Sequence, residues 1–151
     1  MRPAAAPSFR NLASTSRAAS KAKARNTAQG TRCEMVLCAE LRRMGLTFRR
    51  NVVSLPGKPD IVFVRQQLAV FCDGDFWHGR KWSARKAKLA RGSNPEYWVA
   101  KIEANIARDR RQRSKLRRAG WRVIRLWECD ILWDPKRVAG KVADALVVRR
   151  V

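Results

Sequence analysis

Apolar positions along the chain recur in distinct periods, and each period predicts an element. From Thr31 onward Met35, Leu37, Cys38, Leu41 and Met44 recur at helical spacing, and Gly45 supplies the stop. Extended segments are predicted over 47–53, 61–64 and 68–72, each rich in Val, Ile or Phe. In the last two, both alternating sets are apolar. Val62, Val64, Ala69 and Phe71 form one face, and Ile61, Phe63, Leu68 and Val70 the other. Strands of that kind are covered on both sides. Residues 79–93 are basic, bear Gly and Ser, lack a clear period and read as a loop. A second helix begins at "SNPEYW", with Ser93 or Asn94 as the cap and Pro95 in the first turn. It runs through Trp98, Ile102, Ile106 and Leu116 to Gly120. "WRVIRLWE", 121–128, alternates as a strand does, and a last helix covers about 136–148. The order α, β, β, β, α, β, α predicts an α/β fold: a mixed β-sheet flanked by helices, in a single domain over 30–151.

Residues 1–29 break this pattern. They are rich in Ala, Ser, Arg and Lys, and no acid precedes Glu34. Such a segment lacks the apolar surface needed to order itself, so a flexible basic N-terminal arm is expected; an organelle transit peptide shares the composition. Charge then widens the picture. Lysine and arginine number 34 against 12 acids, a net charge of +22 spread along most of the chain. A field of that strength attracts polyanions, and nucleic acid is the first candidate partner. A membrane is not expected as partner, because no apolar run approaches the roughly 20 residues of a spanning helix. Cys33, Cys38, Cys72 and Cys129 are irregularly spaced and look like small buried residues rather than a disulfide framework. A reducing, cytoplasmic and nucleoid-associated setting is the expectation.

Candidate chemistry is concentrated in "FCDGDFWHGR", residues 71–80, which holds two aspartates, two aromatics and the chain's single histidine. If Gln66–Gln67 is a two-residue turn, Arg65 opposes Leu68, and counting back pairs Asp60 with Asp73. A turn dipeptide without Gly or Asn leaves that register free to slip by a residue or two. Either way both aspartates emerge at one end of a hairpin. Two like charges so placed are tolerable with a hard cation between them, and Mg²⁺ prefers oxygen donors. Taken singly, Asp60 and Asp73 are ordinary turn aspartates. His78, a few residues on, has a near-neutral pKa suited to taking a proton from an attacking water. Glu34 completes a capping box with Thr31, and also lies on the stripe facing the strand tips; capping and catalytic support are compatible. Phe76 and Trp77 are either core packing or an exposed apolar wedge.

"SLPGKPDIVF", "VFCDGDFWH", "YWVAKIEANIARDRR" and "LRRAGWRVIRLWEC" together resemble the very-short-patch mismatch repair endonucleases, a branch of the restriction-endonuclease-like nucleases. The resemblance runs from about Thr31 to Ile131. It implies a restriction-endonuclease-like fold and a Mg²⁺-dependent enzyme that nicks one strand of double-stranded DNA beside a T:G mismatch, with mismatch-repair proteins as companions. Carried over residue by residue, it implies Asp60 as the metal-binding aspartate and the main-chain carbonyl of Cys72 as a second metal ligand. His78 is then the histidine acting on the nucleophilic water, Glu34 the active-site glutamate, and Phe76 with Trp77 the aromatic pair inserted at the mismatch. Asp73 stands where the family has a histidine, which makes the metal site richer in carboxylates. Arg80, Lys81 and Arg85 of the basic loop, and Arg108 of the arginine run, are candidate phosphate contacts; a solvated helix face explains any one of the latter equally well.

The relatives also carry a structural zinc held by cysteines and a histidine. Here only Cys129 keeps such a position, Asp75 replaces a cysteine, and Arg80 and Trp82 stand in place of a histidine and a cysteine. One soft ligand does not hold structural zinc, so none is expected. Two rival readings keep the fold but change the outcome. One is a restriction or defence nuclease with another DNA target; the other is an inactive basic DNA-binding protein on the same scaffold.

Overall fold

The computed structural model describes residues 31–147. The basic arm predicted for 1–29 lies outside the described residues. The elements are α1 (Arg32–Arg43), β1 (Arg49–Arg50), β2 (Ile61–Phe63), β3 (Leu68–Asp73), α2 (Trp82–Leu89), α3 (Pro95–Arg118), β4 (Arg122–Trp127), α4 (Glu128–Trp133) and α5 (Pro135–Val147). The strands form one mixed sheet in the order β1-β2-β3-β4. β1–β2 and β2–β3 are antiparallel, while β3 and β4 are parallel and end together. The fold is the expected mixed sheet flanked by helices, restriction-endonuclease-like in its α/β layering.

Alternation along the strands divides the interior into two layers. Ile61, Phe63, Leu68, Val70 and Leu126 pack with Leu37, Leu41, Ile131, Val138 and Val142 of α1, α4 and α5. That cluster is the main core, and burying each large aliphatic side chain in it is worth roughly 1.5–3 kcal/mol. Val62, Ala69, Phe71, Asp73, Arg125 and Trp127 belong to the opposite face, on which α3 lies against β4. Val62 and Ala69 are fully covered there, as expected for a central strand, but Val64 is exposed beyond the end of β2.

α1 starts as predicted. The Thr31 hydroxyl accepts from the Glu34 amide, Glu34 Oε2 accepts from the Thr31 amide, and Gly45 follows the helix at φ +77°. Met35 and Met44, placed on the apolar stripe, are solvent-exposed instead.

Four expectations need correction. The extended segment 47–53 contributes only two residues of strand, β1. The β2–β3 hairpin is displaced by two residues, pairing Phe63 with Leu68 and Ile61 with Val70. A four-residue turn, closed by the Gln67 amide donating to the Val64 carbonyl and by Gln67 at φ +51°, replaces the assumed two-residue one. Asp60 therefore comes level with Phe71, not with Asp73. Third, α2 occupies the predicted loop 79–93: it buries no residue, so no apolar period announces it. Fourth, α4 follows β4 directly. It is six residues long, too short for a period, and has Glu128 and Asp130 in its first turn, where the helix dipole favours acids.

Candidate active site

The end of the sheet where β3 and β4 finish is also where β2 begins, so Asp60, Cys72 and Asp73 meet there. The Asp60 amide donates to the Val70 carbonyl at 3.1 Å, and its Oδ2 accepts from the Cys72 amide at 2.7 Å. Burial is the main cause that pushes the Asp60 carboxyl up to about 7. The Cys72 amide and His78 oppose the rise, while the charges of Glu34 and Asp73 add to it. Glu34 is fully buried at the start of α1, with the Arg50 guanidinium 3.9 Å from its Oε1. The capping role and the place beside the strand tips are thus both present.

Asp73 ends β3 and is 5% exposed. Its Oδ2 accepts from Arg125 Nε at 2.7 Å, and its Oδ1 lies 3.8 Å from His78 Nε2. Burial raises its pKa, with His78 and Arg125 opposing. The strand is followed by a tight turn in which the His78 amide donates to the Gly74 carbonyl and the Arg80 amide to the Asp75 carbonyl. This turn lies directly on α3: a Cβ at Gly79, which has φ +72°, would stand 2.3 Å from Ile106 Cδ1.

His78 Nδ1 and Asp109 Oδ2 are 2.5 Å apart. Burial is the largest influence on Asp109 and raises its pKa, but the His78 bond together with the charges of His78, Arg108 and Arg125 outweighs it. The net direction is downward, so Asp109 is the ionised acceptor and Nδ1 carries the proton. Nε2 is left as the basic nitrogen. Burial depresses the imidazole's pKa, but the Asp109 bond and the Asp73 charge outweigh it and the net direction is upward. One ligand atom each of Asp73, His78 and Asp109 lies within 4.8 Å of the others; Asp60 is outside that triad. Asp109 escaped the sequence reading because it sits in "ARDRRQRSK" and was absorbed into the arginine run. Its spacing was the available signal, since Asn105 and Asp109 are one helical turn apart on α3. Asn105 is buried and donates from Nδ2 to the Trp77 carbonyl at 3.0 Å.

Phe76 and Trp77 pack edge to face with ring centroids 5.2 Å apart, and both lean on Trp98 of α3, at 5.5 and 5.9 Å. These three rings and Tyr97 make one half-buried aromatic cluster of four in the segment that leads to His78. In the sequence Trp98 is one more apolar position of α3, and only the packing brings it to this cluster. Arg80, expected at phosphate, forms a bidentate pair with Asp130 at 3.0 and 3.3 Å and also meets Cys129 Sγ. Lys81 caps α2 and is exposed, and Arg85 Nε donates to the Arg80 carbonyl at 3.2 Å. Arg108 is 52% exposed, with Nη2 3.5 Å from Asp109 Oδ1. A cavity of about 350 Å³ between Leu46, Phe48, Val62 and Leu146 lies near the hairpin turn, remote from this chemistry.

A mixed sheet with helices on both faces, ending in buried carboxylates and an imidazole on one edge, defines a restriction-endonuclease-like nuclease. Residues 13–84 match the family model for DNA mismatch endonuclease Vsr. A type II nicking enzyme of Neisseria meningitidis serogroup C is 41% identical over 121 residues, 80% of each chain. A type II nicking enzyme of Haemophilus parainfluenzae is 37% identical over 129 residues, 85% of this chain and 90% of that one. The DNA mismatch endonuclease Vsr of Escherichia coli K12 is 40% identical over 101 residues, 67% of this chain and 63% of that one. The chain belongs to the Vsr family of DNA mismatch endonucleases. It is a DNA-binding, DNA-cleaving enzyme.

Proposed function

We propose that this endonuclease nicks one strand of double-stranded DNA at or near T:G mismatches, with Mg²⁺ as its cofactor. The carrying observation is the imidazole of His78, fixed by Asp109 at the same end of the sheet as a half-buried Asp60 carboxyl whose pKa is pushed up to about 7. A carboxylate disfavoured by burial and by neighbouring Glu34 and Asp73 gains from a cation beside it. The donors are hard oxygens, which fits Mg²⁺. Asp60 and the main-chain carbonyl of Cys72 are the residues that would hold the ion. When bound, it acidifies water and offsets charge on the leaving oxygen.

The protein's own groups then have separate tasks. His78 Nε2 takes the proton of the attacking water, and Asp109 keeps the tautomer and stabilises the resulting imidazolium. Asp73, expected as a metal ligand, has its Oδ2 held by Arg125, which leaves Oδ1 facing His78 and available to a cation at that edge of the site. Phe76 and Trp77 wedge into the mispaired step, which is poorly stacked and costs less to open than a matched one. Trp98 backs them from α3. Lys81, Arg85 and Arg108 contact the phosphates, whereas Arg80 holds the turn against α4.

The four cysteines are thiols among the described residues, and no helix there is long and apolar enough to cross a membrane. Both fit an enzyme acting on nucleoid DNA in the cytoplasm, alongside mismatch-repair proteins. Relatives named as nicking enzymes support a second reading, in which the same chemistry serves a different DNA target.

One assay separates the two: duplexes of a single sequence, T:G or fully matched, incubated with Mg²⁺ or with chelator. Strand nicking confined to T:G duplexes and lost in chelator is expected. Equal rates on both would reject mismatch selection, and activity surviving chelation would reject the metal.

A further inference from the structure

Arg125 lies within β4, between Ile124 and Leu126, with 22% of its side chain exposed. A strand arginine is ordinarily solvated at its head, but here the guanidinium is engaged on three sides. It stacks on Trp127 with the central carbon 4.0 Å from the ring centroid. Nε donates to Asp73 Oδ2 at 2.7 Å, and Nη2 donates to the His78 main-chain carbonyl at 2.9 Å. The parallel register places Arg125 level with Phe71 and Trp127 level with Asp73. The side chain therefore reaches two residues along the neighbouring strand and onward to the turn beyond it.

We infer that Arg125 is a positioning residue for His78, gripping its backbone at the carbonyl and fixing Asp73, whose Oδ1 stands 3.8 Å from Nε2 of the ring. A planar fork with fixed donors on separate nitrogens can bridge a carboxylate and a carbonyl at once, whereas an ammonium has all three donors on one nitrogen and lacks that reach. Asp109 fixes the ring from the helix side at Nδ1; Arg125 and Asp73 bound it from the sheet side at Nε2. The imidazole is thereby aimed from two different elements. The inference rests on the reading of His78 as the base.

The single histidine makes the test direct, because ¹⁵N-histidine labelling gives one imidazole signal. Wild type, R125M, R125K, D73N/R125M and the exposed control R137M would be compared in three measurements: the His78 ring resonances, steady-state nicking in Mg²⁺, and melting. In R125M the hydrogen-bonded Nδ1–H signal should broaden into solvent exchange. Its kcat should fall by about 10–100-fold, the scale of a small misplacement of a reacting group, with KM for DNA unchanged. R125K should be intermediate, and R137M should match wild type. D73N/R125M, which leaves no unpaired buried charge, should be folded and no worse than R125M.

A sharp, wild-type His78 signal in folded R125M or D73N/R125M would overturn the inference. So would a raised KM at constant kcat, which would make Arg125 a phosphate contact. If wild type gives the His78 signature but cleaves no duplex, the nuclease reading fails on its own and the resonances still decide the positioning claim.

Discussion

At the scale of single residues, the site is governed by what burial does to charge. Asp60 is lifted from an ordinary 3.8 to about 7, so metal-free protein carries a penalty for ionising it. A raised carboxyl stabilises the fold below its unfolded value, and that contribution is lost as pH climbs through about 7. Asp60→Asn should therefore abolish nicking while DNA binding is kept. In metal-free melts at pH 8 it should stabilise the protein by about 1–2 kcal/mol, after discounting for a half-buried site. The gain should shrink below pH 7 and vanish near pH 4; a variant less stable than wild type at pH 8 would contradict the assignment.

His78 adds a second limb of the same sign. Its pKa is raised and its neutral form is the base, so kcat/KM in Mg²⁺ should rise with pH as the imidazole loses its proton. Asp109→Asn leaves the shape but swaps an ionised acceptor for an amide. A fall in kcat of roughly 10²–10⁴ is expected with affinity for DNA kept, as measured by single-turnover cleavage and filter binding.

At the scale of elements, the turn after β3 and the face of α3 behave as one unit. Asn105 holds the Trp77 carbonyl, Asp109 holds His78, and Ile106 seals the space over Gly79. Gly79→Ala would combine a left-handed φ with a Cβ 2.3 Å from Ile106 Cδ1 and 2.7 Å from its Cγ1, a contact relieved only by displacing the Ile106 side chain or shifting the turn. A loss of about 2–4 kcal/mol is expected in denaturant unfolding, together with weakened nicking. Near-native stability would show that the turn does not rest on α3 as described.

Legibility at this scale followed burial. α1, β2, β3, α3, β4 and α5 each bury a stripe, and the period of that stripe was readable. α2 buries nothing, so only its Ala, Lys, Arg and Leu content could have marked it as helix. β1 is only two residues long because Asn51, at φ +50°, takes the chain out of the extended conformation, although its amide and that of Val52 still donate to the Asp60 and Pro59 carbonyls.

At the scale of the molecule, the excess of 34 basic over 12 acidic residues sets how DNA is met. Much of the binding free energy should be release of counterions, so affinity for any duplex should drop by roughly 10³–10⁵ between 50 and 200 mM salt if six to ten phosphates are contacted. A flat response in fluorescence titrations would show that the charge serves something else. The field does not reach every arginine equally. Arg80 and Arg125 are basic by count, yet each is tied to a carboxylate inside the fold, Asp130 and Asp73 respectively. Composition overstates the cationic surface by such residues.

Sequence alone determined the layering and which end of the sheet gathers the candidate site residues. Both follow from local rules: apolar periods report which faces are buried, and carboxylates at strand tips are rare enough to stand out. Asp60, Asp73 and His78 stood out in that way as candidates, as did the capping box of Glu34, whereas Cys72 entered only through the family resemblance. The partners those residues would have were decided only by tertiary structure. A two-residue shift in one hairpin moved Asp60 from Asp73 to the Cys72 amide. Asp109, 31 residues from His78, became its neighbour through the packing of α3, and Arg125, 52 residues from Asp73, its clamp through the parallel pairing of β4. Register and long-range pairing depend on how turns close and helices seat, and no local pattern encodes either.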